Sequence, residues 1–275
     1  MSEILVKVPV LDHGYVALVE TWGSEQRIVE AARMSNDKGF LGWGGDEPCP
    51  KCLAGGLLST EDGLYLTYQH AFTGKDCKHC KGSGKKVGDE ALLRYLWTHH
   101  HGTPFEMAGL IIEVQAPIFV FREWHRHRTQ SYNELSARYT PLPDVNYMPT
   151  VERCLMVNAA NKQSNAIKGA DTLTHEAALD WLEGTAQIYE TVEAHYQKGL
   201  NIGLPKEVAR IVVPVGRYSR MRASANLRNW LAFCTLRHED FAPDAQWEIR
   251  QFGKEVGNLI KTAFPRVWDI YTSTH

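Results

Sequence analysis

Between Arg126 and Tyr139 the chain reads Arg126-His127-Arg128-Thr129-Gln130-Ser131-Tyr132-Asn133-Glu134-Leu135-Ser136-Ala137-Arg138-Tyr139. Cations, hydroxyls, amides and one carboxylate crowd together, and Leu135 is the only aliphatic residue larger than alanine, so the segment is not core. It is either a solvated charged stretch or the lining of a polar site. Arginine offers a rigid fork of donors matched to phosphate oxygens, and serine, asparagine and tyrosine add neutral hydrogen bonds, so such a lining suits a phosphorylated ligand. A second concentration of arginine, at Arg210, Arg217, Arg220, Arg222, Arg228 and Arg237, supplies cations that could converge on the same small anion.

The cysteines suggest different chemistry. Four of the six form two tight pairs, Cys49-Pro50-Lys51-Cys52 and Cys77-Lys78-His79-Cys80, while Cys154 and Cys234 stand alone. In a reducing compartment paired cysteines of this kind bind metal more readily than they form disulfides. Two knuckles can place four thiolates tetrahedrally around Zn2+, and Gly55, Gly56, Gly82 and Gly84 permit tight turns around sulfur. A redox pair or unligated thiols are the alternatives, and His70 and His79, which could substitute as metal ligands, read better as surface residues beside four cysteines.

Apolar residues make up 44% and charged residues 23% of the 275, an ordinary soluble composition with room for one large elaborated domain. The formal net charge of −2 argues against a generic nucleic-acid binder. The longest apolar runs are too short to span a bilayer, and residues 1 to 7 lack a signal-peptide core, which predicts a cytoplasmic protein.

The elements that must position these residues follow from periodicity. Leu5 to Val19 reads as strand, turn and strand around Asp12-His13-Gly14, followed by a short helix with Ser24 as N-cap. Residues 37–89, rich in glycine, lysine and cysteine, read as an insertion, after which Asp89 caps a helix to His100. Leu110 to Phe121 alternates as a strand, Arg122 to Arg128 is expected as a short helix, and the serine- and asparagine-rich remainder as loop. Asp171 to Leu200 has the period of a long amphipathic helix whose aromatics, Trp181, Tyr189 and Tyr196, are expected in the core. A helix from Pro205, a strand over Tyr218 to Ala225, a helix capped by Asn226 and a last helix over about Ala245 to Ala263 complete the chain. No GxGxxG element follows a strand, so a Rossmann cofactor site is not expected.

Written as RHRxxSxNExSxRY, the segment from Arg126 resembles the signature of the flavin-dependent thymidylate synthases, the ThyX family, with every fixed position filled. The similarity extends to Ala31-Ala32-Arg33-Met34-Ser35, to the His101 to Glu106 turn, to Leu204 to Arg210 and to Asn226 to Arg237. It covers the chain apart from the cysteine-bearing insertion. The resemblance implies an α/β (mixed α+β) fold with an antiparallel-rich sheet packed by helices, here one domain over 1–275 with a zinc-ribbon-like insertion at 37–89. It also implies a homotetramer with shared active sites, bound FAD, and synthesis of dTMP from dUMP with methylenetetrahydrofolate as carbon donor and NADPH as reductant.

Carried over by position, Ser35, Thr103, Arg126, His127, Arg128, Glu134, Asn226 and Arg228 match flavin contacts. Glu123, Arg126, Ser136, Arg138, Arg210 and Arg237 match positions around dUMP. Arg237 is the expected polarising residue, and Ser136 is expected to position substrate rather than attack it, because no base is evident beside it. Cys49, Cys52, Cys77 and Cys80 are the expected zinc ligands. Three departures stand out: Glu123 where the family often has glutamine, a carboxylate that would repel phosphate unless Arg122 or Arg126 compensates; Ala232 where a polar residue is sometimes found; and the cysteine-bearing insertion directly after Ser35. Hydroxymethylation of dUMP or a related nucleotide is a competing activity on the same framework. A zinc-ribbon nucleic-acid binder is a reading from another class.

Overall fold

In the computed structural model five strands form one antiparallel sheet in the order β1-β2-β5-β7-β6, with β1 Lys7–Val10, β2 Gly14–Trp22, β5 Gly109–Pro117, β6 Ser131–Glu134 and β7 Tyr218–Asn226. The structure describes residues 6–44, 49, 57–60, 63–66, 88–157, 166–167 and 169–275, with 57–60 and 63–66 described in their backbone only. Those two segments are strands β3 (Leu57–Thr60) and β4 (Gly63–Leu66), paired antiparallel with Leu57 opposite Leu66. The chain groups into two units, 1–22 with 108–263, and 23–107 with 264–275.

In the first unit the sheet buries Val16, Ile112, Val114, Met221 and Ala223. Helix α7 (Leu227–Arg237) contributes Trp230, Leu231 and Phe233, and α8 (Trp247–Ala263) contributes Ile249, Phe252 and Val256. The buried Trp230 indole is not left unpaired, since it donates to the Leu110 carbonyl at 3.0 Å. As expected, Asn226 caps α7 by accepting the Asn229 N–H at 3.0 Å. Gly253 lets α8 pass against the end of α7, because a Cβ there would lie 2.1 Å from the Arg237 carbonyl oxygen.

Several sequence expectations shift. Strand β5 ends at Pro117 rather than Phe121, and the following helix, α3, spans Ile118–Trp124 rather than Arg122 to Arg128. Pro117 imposes the break: its fixed φ leads into the helix, and Ile118 donates to the Arg217 carbonyl at 2.9 Å. The polar run after it is not all loop, because Ser131–Glu134 pairs with Met221–Ser224 as edge strand β6.

The aromatics of the long helix α5 (His175–Asn201) divide. Tyr196 is buried, Tyr189 is half-buried, and Trp181 is 58% exposed, so the last is not core. Arg217, grouped by sequence with the converging cations, is instead fully buried, donating to Glu193 at 2.6 Å and to the Pro143 carbonyl at 2.9 Å.

The second unit holds α1 (Glu25–Arg33), a 3-10 turn at Met34–Asn36, α2 (Glu90–Thr98), a 3-10 turn at Thr103–Met107 and α9 (Pro265–Thr272), the last not anticipated from sequence. Ser24 caps α1 as expected, accepting the Arg27 N–H. Asp89 precedes α2 but does not cap it with its side chain, which is turned to Arg33 and Leu41 instead.

Candidate functional site

Two groupings of the expected site residues emerge in the first unit. One is a cavity of about 560 Å³ whose lining includes Arg122, His125, Glu134, Ser136 and Arg210. Local structure explains how residues so far apart in sequence arrive there. Edge strand β6 carries Glu134 to the cavity, and Leu135 continues the pairing by donating to the Arg220 carbonyl at 2.7 Å. The chain then turns at Ser136, whose carbonyl accepts from the N–H groups of Tyr139 and Thr140 and whose Oγ accepts the Arg138 N–H at 3.3 Å. Among the described residues no carboxylate or imidazole bonds to that hydroxyl, which supports orientation over nucleophilic attack.

Arg210 follows the short helix α6 (Lys206–Ala209), which Pro205 starts. This segment is tied to the end of the signature: Arg138 pairs with Glu207 at 3.1 Å, and Lys206 Nζ donates to the Tyr139 carbonyl at 2.9 Å. Glu207, His125 and the buried Ser219 also line the cavity, and sequence reasoning assigned none of them a role. His125 lay immediately before the polar run, and Glu207 lay one turn before Arg210. Those positions were the only signals. Ser219 Oγ has no hydrogen-bond partner among the described residues, a buried donor that a ligand in the cavity can satisfy.

The second grouping surrounds Arg237 at the end of α7. Its Nη2 lies 3.2 Å from Glu123 Oε2, and its Nε donates to His127 Nε2 at 3.1 Å. Accepting at Nε2 requires the neutral imidazole with its proton on Nδ1. Burial, with the adjacent Arg237 charge, pushes the His127 pKa down to about 4, in agreement with that tautomer. The ring is further held edge-on to Phe233 at 4.8 Å, and the Tyr132 hydroxyl fixes the His127 carbonyl at 2.8 Å.

Glu123 also lies 3.7 Å from Arg126 Nε. Its charge is thus matched by Arg126, as anticipated, and by Arg237, which was not. Both oxygens face cations, so the carboxylate acts as their counter-ion rather than as an uncompensated repulsion.

The remaining expected residues are more dispersed. Arg128 and Arg228 are exposed, and Asn226 uses its side-chain oxygen as a helix cap. Ser35 and Thr103 belong to the second unit, where both are exposed on 3-10 turns. Of the expected zinc ligands Cys49 is buried, and Cys52, Cys77 and Cys80 lie outside the described residues. Among the described residues no cluster of three or more His, Cys, Asp or Glu side chains could hold a metal ion.

The donor set fits a flavin nucleotide and a nucleoside monophosphate. Exposed guanidinium groups at Arg126 and Arg128 suit a pyrophosphate, the neutral His127 ring offers an uncharged planar surface, and Arg210 with Ser136 suits a phosphate in the cavity.

The antiparallel sheet packed by helices defines a mixed α/β fold. The UMP/dUMP methylase PolB of Streptomyces cacaoi, solved with 5-Br UMP, is 25% identical with a TM-score of 0.68 over 94% of both chains. The solved complex of PolB with 5-Br dUMP is 26% identical, with a TM-score of 0.67 over 97% of both. The family described as thymidylate synthase complementing protein matches residues 17–266, and the chain belongs to that family, the ThyX family. Among its relatives, a flavin-dependent thymidylate synthase of Thermus thermophilus is 33% identical over 95% of this chain and 76% of its own length. Another, from Thermosipho africanus, is 31% identical over 95% and 92%.

Proposed function

We propose that this chain is a flavin-dependent thymidylate synthase that converts dUMP to dTMP, with methylenetetrahydrofolate as carbon donor and NADPH as reductant. The observation that carries this reading is the arrival of Ser136 and Arg210 on one cavity of about 560 Å³, with Arg138 paired to Glu207 of its lining. In this reading Arg210 neutralises the nucleotide phosphate, and Ser136, fixed by the Arg138 N–H, orients it.

Arg237 stabilises negative charge that develops on the pyrimidine ring. Its donors are already oriented by His127 and Glu123, so little reorganisation is required as charge develops. FAD, when bound, supplies the redox and one-carbon-carrying chemistry. Ser35, Thr103, Arg126, His127, Arg128, Glu134, Asn226 and Arg228 are the residues proposed to hold it.

The wider assignments rest on the family resemblance and on sequence. The catalytic domain covers 1–275 with 37–89 as an insertion, and Cys49, Cys52, Cys77 and Cys80 bind structural zinc. The enzyme works as a cytoplasmic homotetramer with shared sites. Exposed apolar side chains at Trp181, Ile188, Ile211 and Val215 support burial of further surface by association. No helix among the described residues is long and apolar enough to cross a membrane.

Incubation of the purified protein with dUMP, methylenetetrahydrofolate and NADPH, followed by mass analysis, tests the reading. dTMP is expected; a hydroxymethyl product, or modification of UMP in place of dUMP, would replace it with a competing activity. The flavin absorbance of the preparation separates both from a nucleic-acid-binding role.

A further inference from the structure

Within the second unit the residues that follow the Ser35 turn and those that precede α2 meet at one carboxylate. Asp89 is fully buried. Its Oδ1 accepts from Arg33 Nε at 2.9 Å and is also paired with Arg33 Nη2, while its Oδ2 accepts the Leu41 N–H at 2.7 Å. The Asp89 N–H donates to the Gly42 carbonyl at 2.8 Å. The backbone at Leu41 and Gly42, Asp89 and the last residue of α1 are therefore joined through one side chain and its own backbone.

The surrounding contacts close the same neck. A Cβ on Gly88 would fall 1.7 Å from the Gly44 nitrogen, so only glycine permits the two backbone segments to approach there. Trp43 lies under the Arg266 guanidinium at 4.6 Å, and Arg266 itself pairs with Glu25 and Glu90.

Arg33 also leads directly into the 3-10 turn Met34–Asn36. The Arg33 carbonyl accepts the Lys38 N–H at 3.3 Å, the Met34 carbonyl accepts from Asp37 at 3.4 Å, and Ser35 Oγ donates to the Ala32 carbonyl at 3.0 Å. A buried carboxylate with every contact made locks its partners, whereas one left without its cation carries a large desolvation cost.

We propose that Asp89 is a positioning residue for the flavin site: by clasping Arg33 and the backbone at Leu41 and Gly42 it sets the Ser35 turn. This deepens the flavin reading above and rests on the assignment of Ser35 to FAD.

The test titrates full-length wild type and Asp89→Asn with FAD and, separately, with dUMP, and records thermal melting. Asp89→Asn should raise the Kd for FAD about tenfold, the scale seen where an outer partner orients a contacting group, while the Kd for dUMP is unchanged. Arg33→Lys, which keeps the charge but not the two-pronged contact, should weaken FAD binding in the same direction with melting preserved, and it decides the matter if Asp89→Asn does not fold.

Unchanged FAD affinity in both Asp89→Asn and Arg33→Lys overturns the proposal. Wild type that binds no FAD at all instead overturns the flavin reading itself.

Discussion

Arg217 and Arg237 lie in the same unit and in the same arginine-rich part of the sequence, and their surroundings differ in kind. Arg217 is fully buried and surrounded by acceptors of the protein itself: Glu193 at 2.6 Å, the Pro143 carbonyl at 2.9 Å and Asp144 at 3.1 Å. Arg237 is 15% exposed, held on one side by a neutral imidazole and on another by a carboxylate that it shares with Arg126. An arginine enclosed by the fold, with both terminal nitrogens paired and only Nε left without a hydrogen-bond partner, contributes to stability and has little left to offer a ligand. One that is oriented but not enclosed retains a charge that a substrate can use.

Breaking each arginine should therefore give opposite signatures. Arg217→Ala leaves Glu193 without its buried partner and should lower unfolding stability by about 3–5 kcal/mol, read by denaturant titration, with any folded fraction still active. Arg237→Ala should leave the melting transition nearly in place and reduce kcat by about 10²–10³, the scale for removing one preorganised donor, with flavin still bound. Unaltered turnover would remove Arg237 from the mechanism. Equal effects of the two substitutions on stability would erase the contrast.

Smaller changes sharpen the comparison from the Arg237 side. Gly253→Ala forces a Cβ against the Arg237 carbonyl and should cost about 1–3 kcal/mol of stability as α8 shifts. Turnover should fall with it, because the end of α7 must move. Glu123→Gln removes one charge-assisted contact to Arg237 and should lower kcat about tenfold. A fall in KM for dUMP with unchanged kcat would mean that Glu123 only repels phosphate.

The smallest effect concerns pH. The His127 pKa is held down to about 4 from an ordinary 6.5 by burial and by Arg237, so the unfolded chain takes up a proton at a higher pH than the fold does. Stability should thus fall as pH drops from about 6.5 to about 4 and level off below, and the fall in Tm over that window should be shallower in His127→Gln. The Arg237–His127 hydrogen bond itself should persist until pH approaches 4.

Local signals proved readable where a few neighbouring residues decide the outcome. Ser24 and Asn226 cap the helices expected of them, because capping needs only one side chain and the N–H three residues on. The β-strand at Ser131–Glu134 was missed because its residues are polar. An edge strand exposed to solvent lacks the alternating apolar pattern, and only its pairing with Met221–Ser224 reveals it. Asp89 looked like a helix cap for the same local reason that makes Ser24 one. Arg33, 56 residues away in sequence, provided a stronger partner.

The amino-acid sequence by itself determined the polar character of the Arg126–Tyr139 segment, its family signature and most helices and strands, since side-chain chemistry and periodicity act over short spans. Tertiary structure decided which arginines are enclosed and which stay available, brought Ser136 and Arg210 to one cavity, and turned Asp89 into a clasp. Those outcomes depend on which buried groups find partners across the fold, and desolvation makes that a property of packing rather than of any short stretch of chain.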